Sequence, residues 1–344
     1  MRVSVDLGYG FVKAVSENGK RVMFPSVVAP GPTGTAVAEA LGSKADYTVS
    51  IEKAGKASQY LVGDAAAAVR NGVRAWEGDH TEHHNAVVLY ATALALLGAG
   101  PEPVELACGL PLSVFGTQRE TLSRFLEGLT VKVRINGNEP RFVTVGTVFV
   151  FPQAVGAYSH ATRVFTPING QRSLLTGTVG IVDIGYRTTD YFVVQKTPRG
   201  LMYRDDLSGS MDAGHSRVFQ DVKRALDARA GWTISVQTVE RLITYEGAVA
   251  MIKGKPYDLQ PDLEEAEAHF ADTVLSHLKA QWGQELDLLT GLVIAGGGGN
   301  RIFKHFQTLY PEAVLVPDPV YANAIGYLAA WLPADNRPSV SRSM

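Results

Sequence analysis

The sequence predicts a mixed α/β protein built of two similar lobes that face one another across a cleft. Three observations carry that expectation. β-like runs alternate with helical periodicity along most of the chain. Val5-Asp6-Leu7-Gly8-Tyr9 is matched in order of residue type by Val182-Asp183-Ile184-Gly185-Tyr186, and each copy is followed by another strand-like run. Glycines also cluster directly behind strand-like runs, at Gly8 and Gly10, at Gly185, and from Gly296 to Gly299. In such places they free the backbone to turn sharply or to approach a ligand.

Taken in order, β-branched and aromatic runs bounded by Gly, Pro or Asn predict strands at Arg2–Val5, Phe11–Val15, Arg21–Phe24, Tyr47–Ile51, Tyr60–Val62, Val104–Cys108, Val131–Ile135, Phe142–Phe149, Val179–Val182, Tyr191–Gln195, Leu292–Ala295 and Ala313–Val316. Helices are expected between them, at Ala65–Arg70, His84–Leu97, Thr117–Gly128, Pro152–Ala161, Met211–Ala230, Ser235–Tyr245, Leu263–Trp282, Ile302–Tyr310 and Tyr321–Trp331. The loop-like segment Thr166–Ser173 suggests the boundary between lobes. The first lobe is expected at 1–165 with the last helix, 320–332, packing back on it, the second at 166–319, and a flexible tail at 333–344.

Composition removes several function classes. The 344 residues are 46% hydrophobic and 19% charged, which is the make-up of a folded chain. With 32 Lys+Arg against 34 Asp+Glu the net charge is -2, so no basic field is available to wrap nucleic acid directly. The single cysteine, Cys108, excludes a disulfide framework and a thiolate zinc site, and it points to a reducing, cytoplasmic setting. No apolar region of signal-peptide type follows Met1, and the longest apolar stretch, Ala86 to Gly98, is shorter than the roughly 20 residues of a membrane-spanning helix.

The candidate site residues lie in the glycine clusters. In Asp6-Leu7-Gly8-Tyr9-Gly10-Phe11-Val12-Lys13, a strand-end carboxylate can hold a hydrated divalent cation, turn N–H groups can converge on phosphate, and Lys13 can neutralise it. Alone, the segment reads first as an ordinary β-hairpin. The second copy, Asp183-Ile184-Gly185-Tyr186-Arg187-Thr188-Thr189-Asp190, adds another carboxylate and two hydroxyls, with a guanidinium at Arg187. Gly296, Gly297 and Gly298 leave space for a base or sugar ahead of a helix N-terminus that includes Asn300. Ser210 and Asp212, at the expected start of a helix, read either as N-cap residues or as ribose contacts. His80, His83 and His84 lack metal-ligand spacing and read as a solvated helix start, and Lys223 and Arg224 as a solvated helix face.

The order of these elements resembles the superfamily of actin, the heat-shock chaperone ATPases and the sugar kinases. Asp6-x-Gly8-x-Gly10-x-x-Lys13 is similar to its first phosphate loop, Asp183-x-Gly185-x-x-Thr188-Thr189 to its second, and Gly296-Gly297-Gly298 to its adenosine loop. Phe151–Tyr158 and Tyr321–Tyr327 fall where its connecting helices belong. Phe24-Pro25-Ser26, Tyr60–Ala65 and Cys108-Gly109-Leu110-Pro111 make the likeness greatest to bacterial and archaeal actin-like proteins, especially plasmid-segregation filaments of the ParM type.

That resemblance implies an actin-like, ribonuclease H-like duplicated fold with a nucleotide cleft. It implies an ATPase that takes Mg2+ with ATP, or GTP in its place, with Asp6 and Asp183 at the metal and Gln153, directly after Pro152, orienting the attacking water. It further implies head-to-tail filaments of the protein with itself, a separate DNA-binding adaptor for any role in DNA segregation, and no membrane partner. Two other readings of the same fold are a small-molecule kinase, which needs an Asp general base that Gln153 cannot replace, and a nucleotide-gated binding module without turnover.

Overall fold

The computed structural model describes residues 1–31, 47–69, 71–74, 84–165 and 177–331. They divide into two compact units, one of Met1–Val164 with the chain from Val320 onward, the other of Phe165–Pro319.

In the first unit β1 (Arg2–Leu7), β2 (Phe11–Ser16) and β3 (Arg21–Pro25) form an antiparallel meander whose Val3, Val5, Val12 and Ala14 are fully buried. β4 (Val27–Pro30), β5 (Tyr47–Lys53), β6 (Lys56–Val62), the single turn α1 (Asp64–Ala67) and β7 (Val73–Arg74) follow. α2 (His84–Leu97) is buried from Ala86 to Ala95, consistent with its being apolar on all sides. β8 (Val104–Leu110) lies parallel to β1, with Cys108 opposite Val5. α3 (Leu112–Leu126) starts directly after Pro111, earlier than the expected Thr117, because proline's fixed φ suits the residue at a helix start.

β9 (Thr130–Ile135) precedes a long β10 (Arg141–Pro152) whose register shifts between Val145 and Val148. One part of β10 pairs antiparallel with β9 and the rest parallel with β8. Phe151 and Pro152 thereby come opposite Gly109 and Leu110, and α4 (Gln153–Val164) begins beside the end of β8. The described strands of this unit run in the order β3-β2-β1-β8-β10-β9-β5-β6-β4-β7.

The second unit opens with the antiparallel β11 (Thr178–Ile184), β12 (Thr189–Thr197) and β13 (Gly200–Met211). α5 (Ser216–Ala230), α6 (Val236–Tyr245), the hairpin β14 (Val249–Ile252) and β15 (Lys255–Asp258), and α7 (Gln260–Trp282) build one side of its core. β16 (Gly291–Ala295) then pairs parallel with β11, α8 (Gly296–Leu309) follows without a loop, and β17 (Ala313–Leu315) completes a sheet ordered β13-β12-β11-β16-β17. That order repeats β3-β2-β1-β8-β10 of the first unit, so the motif repeat extends to topology.

The last helix, α9 (Ala322–Trp331), returns to the first unit. It approaches α4 so closely that a Cβ on Gly326 would lie 1.7 Å from the Gly156 carbonyl oxygen. Asn323 Oδ1 accepts from the Ala157 N–H at 3.1 Å, and Ser4 Oγ of β1 donates to the Ala324 carbonyl at 2.5 Å. Among the described residues no helix is long and apolar enough to cross a membrane.

Two expectations are corrected. Gly200–Met211 is an edge strand, hidden in the sequence because its polar Arg204-Asp205-Asp206 breaks hydrophobic alternation, so the helix expected from Met211 begins at Ser216. The glycines from Gly296 to Gly299 are the first turn of α8 and form no loop. Glycine disfavours helix, but Gly298 and Gly299 lie where a Cβ would come within 2.7 Å of Ile184 and 2.9 Å of Ile294, so packing overrides propensity. His80, His83, all of Thr166–Ser173 and the tail 333–344 lie outside the described residues.

Candidate functional site

In the first unit, Asp6 is the penultimate residue of β1 and 3% exposed. The antiparallel register sets Lys13 directly opposite it, on the same face of the hairpin. Lys13 Nζ donates to Asp6 Oδ2 at 3.2 Å, and Gln153 Nε2, from the first residue of α4, donates to Oδ1 at 3.2 Å. Carboxylate, ammonium and carboxamide thus form one cluster around the buried Asp6 at the end of β1.

The adjoining turn is closed by Gly8 N–H donating to the Phe11 carbonyl at 3.2 Å. Ser26 braces it twice, through Oγ to the Gly8 carbonyl at 2.6 Å and through N–H to the Gly10 carbonyl at 2.9 Å. Arg74 Nη1 donates to the Tyr9 and Gly10 carbonyls at 3.4 and 3.3 Å. With the carbonyls engaged by these supports, the turn is stiffened from outside itself.

In the second unit Asp183 holds the corresponding place in β11 and is 7% exposed. Gly185 N–H donates to the Thr188 carbonyl at 2.9 Å, the same four-residue turn as Gly8 to Phe11. Here, however, the residue opposite Asp183 is Asp190, also buried. The start of α5 grips the turn, with His215 N–H donating to the Gly185 carbonyl at 3.0 Å and Ser216 N–H to the Tyr186 carbonyl at 2.8 Å. Tyr186 Oη donates to Glu240 Oε2 of α6 at 2.7 Å, and His215 Nε2 lies 3.5 Å from Glu267 Oε1 of α7 inside the core.

Gly296 has φ +85°, and a Cβ there would lie 2.3 Å from the Ile184 carbonyl oxygen and 2.4 Å from Asp183 Oδ1. The strand-end carboxylate therefore sits directly against the N-terminus of α8, where the helix dipole favours it. Nothing lies within 4 Å of a Cβ at Gly297, so that position faces open space. Asn300 is exposed farther along α8.

Several expected contacts are placed otherwise. Thr189 is buried and its hydroxyl donates to the Ala213 carbonyl at 2.7 Å, so it supports the link to α5 and is not held out for a ligand. Ser210 is the next-to-last residue of β13, opposite Asp190, and Asp212 is exposed in the link, 3.4 Å from Arg187 Nε, so neither caps α5. Lys223 and Arg224 pair along α5 with Asp227 and Asp221. A broad groove of about 790 Å³ over α5 is lined by these two with Arg187, Asp212 and Arg217 and by His269 of α7, but not by Asp183 or Gly296.

Arg74, His215, Glu240 and Glu267 are supports that sequence reasoning did not single out, and Ser26 entered only as part of the Phe24-Pro25-Ser26 likeness. Ser26 follows Pro25 at a strand end and Asp190 closes the second motif, which are visible signals. The others come from distant segments and have none.

Both halves of the chain match known families. Residues 4–156 match the model of the N-terminal domain of actin-like proteins, and residues 181–308 that of the C-terminal domain of archaeal MreB-like actin homologues. The archaeal actin homolog of Thermoplasma acidophilum is 25% identical over 334 residues, which span 94% of this chain and 97% of that protein. A 15-stranded ParM filament from Clostridium botulinum is similar with a TM-score of 0.82 at 25% identity, covering 95% of this chain and 97% of that one. The archaeal actin homolog Ta0583 in complex with ADP shares the fold with a TM-score of 0.74 at 22% identity and the same coverage. With two lobes of repeated topology, each matched by an actin-like domain in the same order, the chain belongs to the actin-like superfamily.

Proposed function

We propose that this protein is an ATP-driven filament former whose subunits assemble head to tail on Mg-ATP and loosen after hydrolysis to ADP and phosphate. The observation that carries the reading is the Asp6 cluster, in which a buried carboxylate is shared between Lys13 and Gln153 at 3.2 Å each. Such a cluster suits phosphate neutralisation by Lys13 and water orientation by Gln153, since a carboxamide can accept from a water and donate to an oxyanion.

The residues fit a magnesium nucleotide. Asp6 and Asp183 are hard oxygen ligands at strand ends, suited to a cation that keeps part of its water shell. Gly8, Gly10 and Gly185, with Tyr9, Tyr186, Arg187 and Thr188, form the phosphate turns, and Gly296 admits no side chain beside Asp183. The open side of Gly297 suits the adenosine, with Gly298 and Asn300 following on α8, while Ser210 and Asp212 remain candidates for the ribose. When bound, magnesium supplies charge neutralisation at the β- and γ-phosphates.

The relatives support assembly, because one is a ParM filament. We place the protein in the cytoplasm, in plasmid or DNA segregation or a prokaryotic cytoskeleton. With a net charge of -2, DNA cargo would be reached through an adaptor protein.

Sedimentation with Mg-ATP and with Mg-ADP, alongside phosphate release, tests the reading. Polymer in ATP that decays with phosphate release is expected, and Gln153→Ala should keep assembly while slowing release by on the order of 10²-fold. Tight ATP binding with neither polymer nor turnover would refute it in favour of a binding module. ATP-dependent phosphorylation of a small hydroxyl compound would favour a kinase.

A further inference from the structure

The second unit exposes apolar side chains beyond both ends of α7. At the C-terminal end the chain adds a 3-10 turn, Gly283–Leu288, whose Leu288 is 67% exposed. Tyr310, which follows α8, donates its hydroxyl to the Leu286 carbonyl at 3.2 Å and brings the exposed Leu309 to the same end. The rim there is acidic. Glu285 and Asp287 lie in the turn itself, and burial, then Asp287 and Glu312, push the Tyr310 hydroxyl above its ordinary value, so both carboxylates stand near that ring. At the N-terminal end stands the β14–β15 hairpin, where the Ala248 carbonyl accepts from Leu259 N–H at 2.9 Å. Ala250 and Ile252 turn into the core, so Val249 and Met251 face outward, with Met251 65% exposed. Trp232 is exposed as well, and Lys253 Nζ lies 4.1 Å from the centre of its ring. Here the rim is basic, since Lys253 and Lys255 flank the turn of the hairpin and its acid, Asp258, lies at the other end, opposite Val249.

We propose that these two surfaces are the halves of one contact between copies of this chain, in which Leu288 and Leu309 of one copy dock on Met251 and Trp232 of the next. Each has an apolar centre with a charged rim, and the rims are opposite in sign, the complementarity by which an interface selects partner and register. Self-pairing of either end would set like charges face to face. The contact is therefore heterologous, and every copy keeps one half free, so that it repeats from copy to copy. α7 spaces the two halves, its 23 residues spanning about 34 Å. That the occupant is a second copy rests on the filament reading, whereas the surfaces themselves do not.

Cys108 is the single cysteine of the chain and is buried, so cysteines introduced at the surface are the reactive ones. Full-length Leu288→Cys and Met251→Cys, mixed in equal amounts with Mg-ATP and treated with a short bismaleimide, should give a cross-linked dimer. Neither variant alone should do so, and a chain carrying both substitutions should give a ladder. Leu288→Lys and Met251→Glu, which bring each surface a charge like that of its partner's rim, should each raise the critical concentration for sedimentation at least about tenfold, the scale of burying one leucine, with the melting temperature unchanged. Cross-linking of either cysteine variant to itself as readily as in the mixture, or none in the mixture while wild type sediments, would overturn the contact and leave the filament reading standing. Polymer indifferent to both charge substitutions would do the same. A lowered melting temperature with assembly unchanged would place these side chains inside the protomer and overturn the proposal. A wild type that sediments with no nucleotide would defeat the filament reading, and the cross-link alone would then decide the contact.

Discussion

Gly296 and Gly297 are adjacent residues in the first turn of α8, yet alanine should act oppositely at the two. At Gly296 the backbone has φ +85°, which costs an L-residue about 1–3 kcal/mol. The new Cβ would also stand 2.3 Å from the Ile184 carbonyl oxygen and 2.4 Å from Asp183 Oδ1, closer than any real contact. One of these atoms is backbone in a central strand, so β11 and α8 must separate, and overpacking of this kind adds about 1–3 kcal/mol. The sum, about 2–6 kcal/mol, is a large share of the roughly 5–15 kcal/mol that stabilises a typical domain. At Gly297 a Cβ meets nothing within 4 Å, and replacing a helical glycine stabilises by about 0.5–1 kcal/mol. Urea unfolding of both variants gives the stabilities, and calorimetry with Mg-ATP gives the affinities. Gly296→Ala should lose both stability and nucleotide affinity. Gly297→Ala should keep or gain stability and lose affinity only if adenosine lies against it. Wild-type stability in Gly296→Ala would refute the close-packing argument.

Asp6→Ala and Asp183→Ala should each weaken binding of Mg-ATP, and calorimetric affinities unchanged in both would remove the two turns from the nucleotide site. Gly326→Ala should destabilise the first unit by several kcal/mol, since its Cβ would fall 1.7 Å from the Gly156 carbonyl oxygen, and a wild-type melting temperature would count against the α4–α9 contact. Stability should also fall at alkaline pH. Burial raises the Cys108 thiol from 9.0 to about 12, so the unfolded chain releases this proton first and the native state loses stability as pH rises from 9 toward 12. The loss is at most about 1.4 kcal/mol per pH unit for this group, and urea midpoints of wild type and Cys108→Ala across that range should converge as pH rises.

The frame was legible wherever a short-range signal and burial agree. β1, β2, β11 and β12 carry β-branched runs that are buried in fact, and α2 matched its expected ends because an unbroken apolar run of that length has no competing reading. The errors arose where tertiary packing overrides local preference. Glycine's poor helix propensity argued for a loop from Gly296 to Gly299, while contacts with Ile184 at Gly296 and Gly298 and with Ile294 at Gly299 select glycine there. The edge position of β13 lets it be polar, which removed its pattern. Of the site, Asp6, Lys13 and Gln153 were visible because motif and register bring them together. Their supports were not, since Arg74 reaches the β1 turn from a segment with no local mark of that duty.

The duplication explains why the two turns are alike in backbone and unlike in charge. Gly8 to Phe11 and Gly185 to Thr188 close with the same hydrogen bond, and each follows a buried Asp by the same interval. The strand returning from the turn then places its own side chain opposite that Asp, and this is where the copies part. Lys13 opposite Asp6 makes the first hairpin electrically closed, with Gln153 on the remaining oxygen. Asp190 opposite Asp183 makes the second a carboxylate pair, and like charges directly across a ladder repel. A cation arriving at the first hairpin meets an ammonium already in place, whereas at the second it meets a further acidic residue on the facing strand. On the proposed reading, the first hairpin would bring an ammonium beside its aspartate for phosphate, and the second a further acidic residue beside the aspartate that would hold the cation. The residue facing the aspartate across the ladder, lysine in one copy and aspartate in the other, is what sets the charge of the two turns apart.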